Sequence, residues 1–438
     1  MACGTDPCSE TTITVCPDGS CDFTDIQSAI DASSFEAIEI GAGTYALSAP
    51  LTIGERPGLT LRGAVGEDGT LLTVLDGQGR HRLFETDAPG TTYETAATFE
   101  GLILRNGSAE AGGVVRIEND FLAFTDCVLE GNVADEGGAV CQAGGRMTFV
   151  GCRFAGNVAQ DQGGAIYLLD GTGSFTNCMF DANAAADGGA IYATEGELTC
   201  SGGGFTSNQA SDDGGAIFAR STQLSMMLDG VSLQENTAGD EGGAIHCGSN
   251  HDLTGCTFTG NGAASEGGAI VLTRTALGRI ESTSFLSNTA QRGGAIASRQ
   301  CDPELVDCLV SGNFAGLEGG GLRFEGGAPI LVGCTVRENT AQEFGGGLRS
   351  LFGSTPLLED TTLCGNVPDQ FNGAVTEGPG TCVRASCSAD ADGDLVPDCE
   401  DGCPDDPGKI DPGTCGCGTP DTDTDLDGTL DCLDGCPD

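Results

Sequence analysis

Two runs of aspartate near the C-terminus carry the spacing of a metal-binding loop. Asp390, Asp392, Asp394, Asp398 and Asp401 stand at positions one, three, five, nine and twelve. Asp423, Asp425, Asp427, Asp431 and Asp434 repeat the pattern 33 residues later. This is the oxygen set of a calcium loop, because calcium takes about six to eight hard oxygen ligands in flexible geometry. The aspartates, a backbone carbonyl and water would fill that shell, so calcium is the one cofactor expected. Gly428 occupies position six of the second run, where the chain must bend sharply. The first run has Leu395 there and Gly393 two positions earlier, so the second loop is expected to be the tighter. Cys399, Cys403, Cys432 and Cys436 could lock the ordered turns. The competing reading is an acidic, disordered linker.

A second group of carboxylates recurs through the middle of the chain just before Gly pairs, among them Asp135, Glu136, Asp161, Asp187, Asp212, Asp213, Asp240, Glu241, Glu266, Glu318 and Glu343. Stacked in register they form a stripe, and like charges about 5 Å apart repel by roughly 0.8 kcal/mol even in bulk water. Cations or salt would relieve this. The plainer reading is a set of solvated turns whose charge keeps the protein soluble. Catalysis is harder to place. A glycosidase needs two carboxylates facing each other across a cleft, yet Asp212-Asp213 has counterparts in Asp135-Glu136 and Asp240-Glu241. His81, His246 and His251 lie in no local pattern that suggests an active site, and Arg220, Arg274, Arg279 and Arg299 remain open as bases for a lyase. No catalytic set stands out from the repeat, so no enzymatic activity is expected.

The elements that position these residues follow from one period. Asn106, Asn132, Asn157, Asn183, Asn208, Asn236, Asn261, Asn288, Asn313, Asn339 and Asn366 recur at 25 to 28 residues. Each except the last is followed by a Gly pair, as in Gly163-Gly164-Ala165-Ile166. Three residues before the Asn stands a large apolar residue such as Phe154, Phe180, Phe205, Phe258 or Phe285. Two before that, six repeats have Cys127, Cys152, Cys178, Cys256, Cys308 or Cys334. A spacing of two puts both on one side of a strand, and a helical period fits none of it. Each repeat therefore reads as strand, Asn turn, strand, longer turn. One unit cannot bury its apolar face alone, whereas stacked copies share a continuous core. The fold class is all-β, a right-handed single-stranded parallel β-helix. At about 4.8 Å per strand, ten coils make a rod of roughly 50 Å. The Asn column is assigned to structure, through left-handed turns and amide stacking.

Four regions result. Residues 1–22 are a Cys-rich segment. Residues 23–100 hold a cap and the first coils, with a capping box at Thr24-Asp25-Ile26-Gln27 and an apolar face of Ile26, Ala29 and Ile30. Residues 101–385 are the repeats, and 386–438 the acidic tail. The cysteine column is open between disulfides and free thiols packed as small hydrophobes. Cys301 with Cys308 and Cys364 with Cys382 are the stronger candidates for pairing.

The repeat Phe-x-x-Asn followed by Gly-Gly-Ala-Ile, over about residues 99 to 366, resembles that of the chlamydial polymorphic outer membrane proteins. That resemblance implies a β-helical surface passenger, export as an autotransporter and a role in adhesion, although no C-terminal membrane barrel is visible. The tail resembles thrombospondin type 3 repeats and their Cys-containing bacterial relatives, which implies calcium binding.

Bulk composition agrees with an exported protein. Cysteine numbers 23, more than a reducing cytosol usually tolerates. An export leader is expected to have been removed, with Cys3 a candidate for lipid anchoring and the chain a fragment of a longer protein. A formal charge of −47 disfavours nucleic acid and anionic membranes. No transmembrane segment is expected. The expected partners are other surface proteins, copies of the same chain and polysaccharide. The expected function is a non-enzymatic, surface or extracellular-matrix rod for adhesion or assembly. The alternative is a secreted β-helix that binds or cleaves polysaccharide, and a mineral- or cation-binding matrix component is a third reading.

Overall fold

The computed structural model describes residues 12–34, 37–54, 58–86, 96–273, 278–388, 390–396, 401–426 and 428–435. The chain winds into a right-handed parallel β-solenoid whose strands stack in three sheets of 26, 14 and 9 strands. One coil shows the pattern: Arg153–Ala155, Val158–Gln162 and the long Ile166–Thr176, each paired with its counterpart in the next coil. The sequence reading of two strands per coil is thus too simple. The Gly pair is itself a corner, and the strand after it bends into a further one.

Glycine is required at that corner for two reasons. The first residue of the pair is left-handed, as at Gly163 with φ 65°. The second lies so close to the next coil that a Cβ on Gly164 would strike the Gly189 carbonyl.

The interior phenylalanines form two columns rather than one. Phe154, Phe180 and Phe205 stack at centroid spacings of 4.5 and 4.6 Å, and Phe258 meets Phe285 at 4.9 Å. Leu233 stands between Phe205 and Phe258 in the same register. A second ladder, Phe99, Phe124, Phe149 and Phe175, packs edge-on against the first, with Phe149 and Phe154 5.0 Å apart at 67°. It went unread because its residues fall before the turn, outside the Phe-x-x-Asn motif.

The Asn column is continuous and buried from Asn132 to Asn366. The left-handed residue is not the Asn but the one before it: Gly131, Gly156, Ala182, Ser207 and Glu235 all have φ between 52° and 60°. Asn106 is a correction. It lies one residue out of register, is left-handed itself (φ 52°) and donates to Asp76. The ladder position in that coil is Gly107, whose N–H donates to Asn132 Oδ1 at 2.8 Å.

The N-terminal helix is Ile26–Ala32, capped by Asp25 rather than Thr24, because the Asp25 carboxylate accepts from Ser28 N at 2.8 Å. Ile26, Ala29 and Ile30 are buried against the first coils. The strand Ile13–Val15 pairs with Ala37–Ile40, so the stack begins inside the segment read as unpatterned. Beyond Cys382–Arg384 no described residue lies in a strand. No described helix is long and apolar enough to cross a membrane.

Among the described residues ten buried cysteines are free thiols, including the whole column and both Cys301 and Cys308. That last pair stays apart because Cys301 Sγ packs on Ser298 Oγ at 3.0 Å, whereas Cys308 Sγ turns to the Ile280 carbonyl. Cys364 bonds to Cys387, not Cys382, because register places Cys382 opposite Thr362. The other described disulfides join Cys16 to Cys21, Cys403 to Cys417 and Cys415 to Cys432. Cys3, Cys399 and Cys436 lie outside the described residues.

Candidate functional site

The residue after Gly-Gly-Ala-Ile alternates outward, and in successive coils it is Tyr167, Tyr192, Phe218 and His246. Pointing outward, these rings are nonetheless largely covered, with Tyr192 only 2% exposed. They form the floor of a groove of about 1180 Å³ that runs along the stack. Beside the floor stand Gln162 on one flank and Thr194, Arg220, Thr273, Arg299 and Glu325 on the other. The rings stack on each other at 5.4, 5.1 and 4.8 Å. Their faces are therefore occupied, and edges and polar atoms are what the groove presents. Burial, with the Glu136 charge behind it, pushes the Tyr167 phenol up to about 12, which keeps it a neutral donor.

The acidic stripe is real but interleaved with arginine. Glu241 is gripped by both terminal nitrogens of Arg299. Arg323, itself buried, reaches Glu266 at 3.4 Å, Glu318 at 3.1 Å and Glu325 at 3.0 Å, and Arg349 meets Glu318 at 3.1 Å. The lower half of the stripe is neutralised internally, without any added cation. In the upper half Asp187 and Asp213 make no close ion pair with an arginine among the described residues, and burial followed by the neighbouring Asp212 and Asp213 charges raises the Asp187 carboxyl.

Here the structure brings together three residues left apart in sequence reading. His246 Nδ1 lies 3.2 Å from Asp213 Oδ2 and 3.8 Å from Glu241 Oε2. Burial opposes ionisation of Asp213, but His246 outweighs it and holds the carboxyl below its usual value. A sequence signal existed: Gly-Gly-Ala-Ile is followed by Tyr, Tyr and Phe in three coils and by His only at 246. Among the arginines weighed for catalysis, Arg220 and Arg299 line the groove, while Arg279 pairs with Glu281 outside it. Arg274 lies outside the described residues. Asp212 stands exposed beside Asp213. His81 bonds to backbone carbonyls of Arg82 and Leu47, and His251 is buried inside the coil, 3.6 Å from Cys247 Sγ.

In the tail, ligand oxygens of Asp390, Asp392 and Asp394 lie within 4.8 Å of one another. Burial, then the charges of Asp394, Asp401 and Asp390, raises the Asp392 carboxyl. Asp392 Oδ2, Asp401 Oδ2 and Asp423 Oδ1 are buried atoms without a hydrogen-bond partner. Orphaned carboxylate oxygens of this kind fit a hard cation. Positions four and six are left-handed in both loops, with glycine and leucine exchanged: Gly393 and Leu395 at φ 84° and 77°, Leu426 and Gly428 at 60° and 95°. Asp431 is engaged elsewhere, accepting from Thr422 and Thr424 at 2.7 Å. Asp398 and Asp427 lie outside the described residues.

Two family models match the chain. Residues 225–363 match the right handed beta helix region, and residues 151–168 and 205–220 match the Chlamydia polymorphic membrane protein repeat. No curated protein and no solved structure gives a match.

Proposed function

We propose that this protein is an exported, surface-exposed or matrix rod of the adhesin-like kind that holds a ligand along its groove without turning it over. The polymorphic membrane protein repeats support the surface setting, since that family is one of bacterial outer-membrane or surface proteins. The observation that carries the reading is the groove itself: an outward aromatic column, sunk between polar walls and running across consecutive coils. Such a trough recognises an extended ligand through side chains, because the sheet's main-chain donors and acceptors are already spent between coils. A calcium-stiffened tail would serve as the stalk, with Asp390, Asp392, Asp394 and Asp401 holding the first ion and Asp423 and Asp425 contributing to the second.

A second reading, a β-helix that binds or cleaves polysaccharide, is favoured by Asp213 and Glu241 converging on His246 of the groove floor, with Arg299 of the groove lining reaching Glu241. A panel of acidic and neutral polysaccharides separates the two. Retention on an immobilised glycan without new reducing ends or unsaturated uronides supports the binding rod. Reproducible cleavage abolished by Asp213→Asn or Arg299→Ala establishes the enzyme instead.

A further inference from the structure

We propose that Asp213, Glu241 and His246 form a binding site for a divalent transition metal, of the zinc class, at the wall of the groove. The inference stands on this geometry alone and holds whether the rod binds or cleaves its ligand. Three ligand atoms, Asp213 Oδ2, Glu241 Oε2 and His246 Nδ1, lie within 4.8 Å of one another. Tetrahedral ligands at about 2.1 Å from zinc are about 3.4 Å apart. The two distances from the imidazole nitrogen, 3.2 and 3.8 Å, bracket that value.

Three further observations point the same way. His246 Nδ1 is withdrawn from solvent between two carboxylates at 3.2 and 3.8 Å, yet makes no well-aligned hydrogen bond to either. A buried polar atom left in that state is costly, and a coordinate bond would satisfy it. The ring is held for the task, because it closes the aromatic column against Phe218 at 4.8 Å. Outer groups orient the carboxylates as well: Asp213 Oδ1 accepts from Glu241 N at 3.0 Å, and Arg299 clamps Glu241. Supporting contacts of this sort are what fix first ligands at metal sites.

One imidazole and two carboxylates suit zinc, cobalt or manganese better than calcium, which takes more oxygen ligands. Three protein ligands leave a coordination position free, and the groove lined by His246 is the space it would face. The metal would then touch a hydroxyl or carboxylate of whatever lies in the groove.

Zinc titration of the full-length chain by calorimetry, in millimolar calcium to occupy the tail carboxylates, tests the site. Wild type is expected to bind one zinc that His246→Phe loses or holds at least tenfold more weakly. That variant restores the ring found at position 218, so the stack is retained, and Asp213→Asn provides an independent loss. Cobalt should give a visible ligand-field spectrum in wild type that is absent from both variants and unchanged in Asp392→Ala. Equal zinc affinity in wild type and both variants, or no zinc binding by wild type, overturns the proposal and leaves a His246–Asp213 ion pair only.

Discussion

Asn208 Nδ2 donates to Asn236 Oδ1 at 2.9 Å although the two residues are 28 apart in sequence, three more than the shortest coil. One extra residue falls before the Gly pair and two at Arg220–Gln223, and the amide ladder passes both without a break. Each inner Asn uses all its capacity. Asn208 Nδ2 also donates to the Phe180 carbonyl, its N–H donates to Asn236 Oδ1, and its own Oδ1 accepts twice from Asn183.

Removing one amide strands two buried donors of Asn183 and takes a donor away from the Phe180 carbonyl and from Asn236 Oδ1. Asn208→Ala is expected to cost about 3 kcal/mol or more, from bonds worth about 1 kcal/mol each and from unsatisfied groups worth about 1–3 kcal/mol. Chemical denaturation measures the loss. A cost below 1 kcal/mol would mean that water replaces the amide and that the ladder does not hold the coils together.

Phe205→Ala should cost about 3–5 kcal/mol through lost transfer energy and the cavity left behind. Stability in stacked repeats is close to a nearest-neighbour sum, so the damage should be local. Hydrogen exchange should rise near Phe180, Phe205 and Leu233 and stay low near Phe124 and Val336. Uniform loss of protection along the rod would contradict independent coils.

Calcium is expected to order the tail in the millimolar range typical of extracellular modules. Calorimetry on the oxidised full-length chain should show binding that Asp392→Ala and Asp425→Ala each reduce. Both loops already place left-handed residues at positions four and six, but only the second has glycine at the sharper bend, so Asp425→Ala should remove the tighter component. Absence of heat at millimolar calcium would leave an acidic linker.

Acid should loosen the groove wall. Asp213 has a folded pKa below its ordinary value of 3.8. Its contribution to stability is therefore complete above the unfolded value and is lost as pH falls through the folded one. Thermal melts of wild type should lose stability below about pH 4, with Asp213→Asn showing a shallower decline. Identical slopes would mean that the Asp213–His246 contact is too solvent-screened to matter.

The solenoid was legible because Asn, Gly-Gly and the apolar column each recur, so periodicity alone fixed which residues share a side. Register was legible only to within one residue, as Asn106 shows: its type matched the column while its neighbour Gly107 held the place. The groove was not legible from the apolar pattern, which follows the inward side of each strand and says nothing of the outward Tyr167, Tyr192 and Phe218. His246 was hidden for a different reason. Asp213 lies 33 residues upstream of it, and only coil stacking converts that separation into 3.2 Å.

The thiol column has a consequence for biogenesis. Cys127, Cys152 and Cys178 sit in successive coils, near enough that Cys127 N–H donates to Cys152 Sγ at 3.4 Å. Burial pushes the thiol of Cys256, in the same column, up to about 11, which keeps it protonated and unreactive. That protection exists only once the coils have zipped together. In an oxidising compartment, the nascent chain is in a race between stacking and sulfur chemistry. A chain that stacks slowly would be trapped as cross-linked, misthreaded species, whereas one that winds progressively seals each sulfur before the oxidant arrives. The peripheral disulfides, formed at the two ends and in the tail, can then close last.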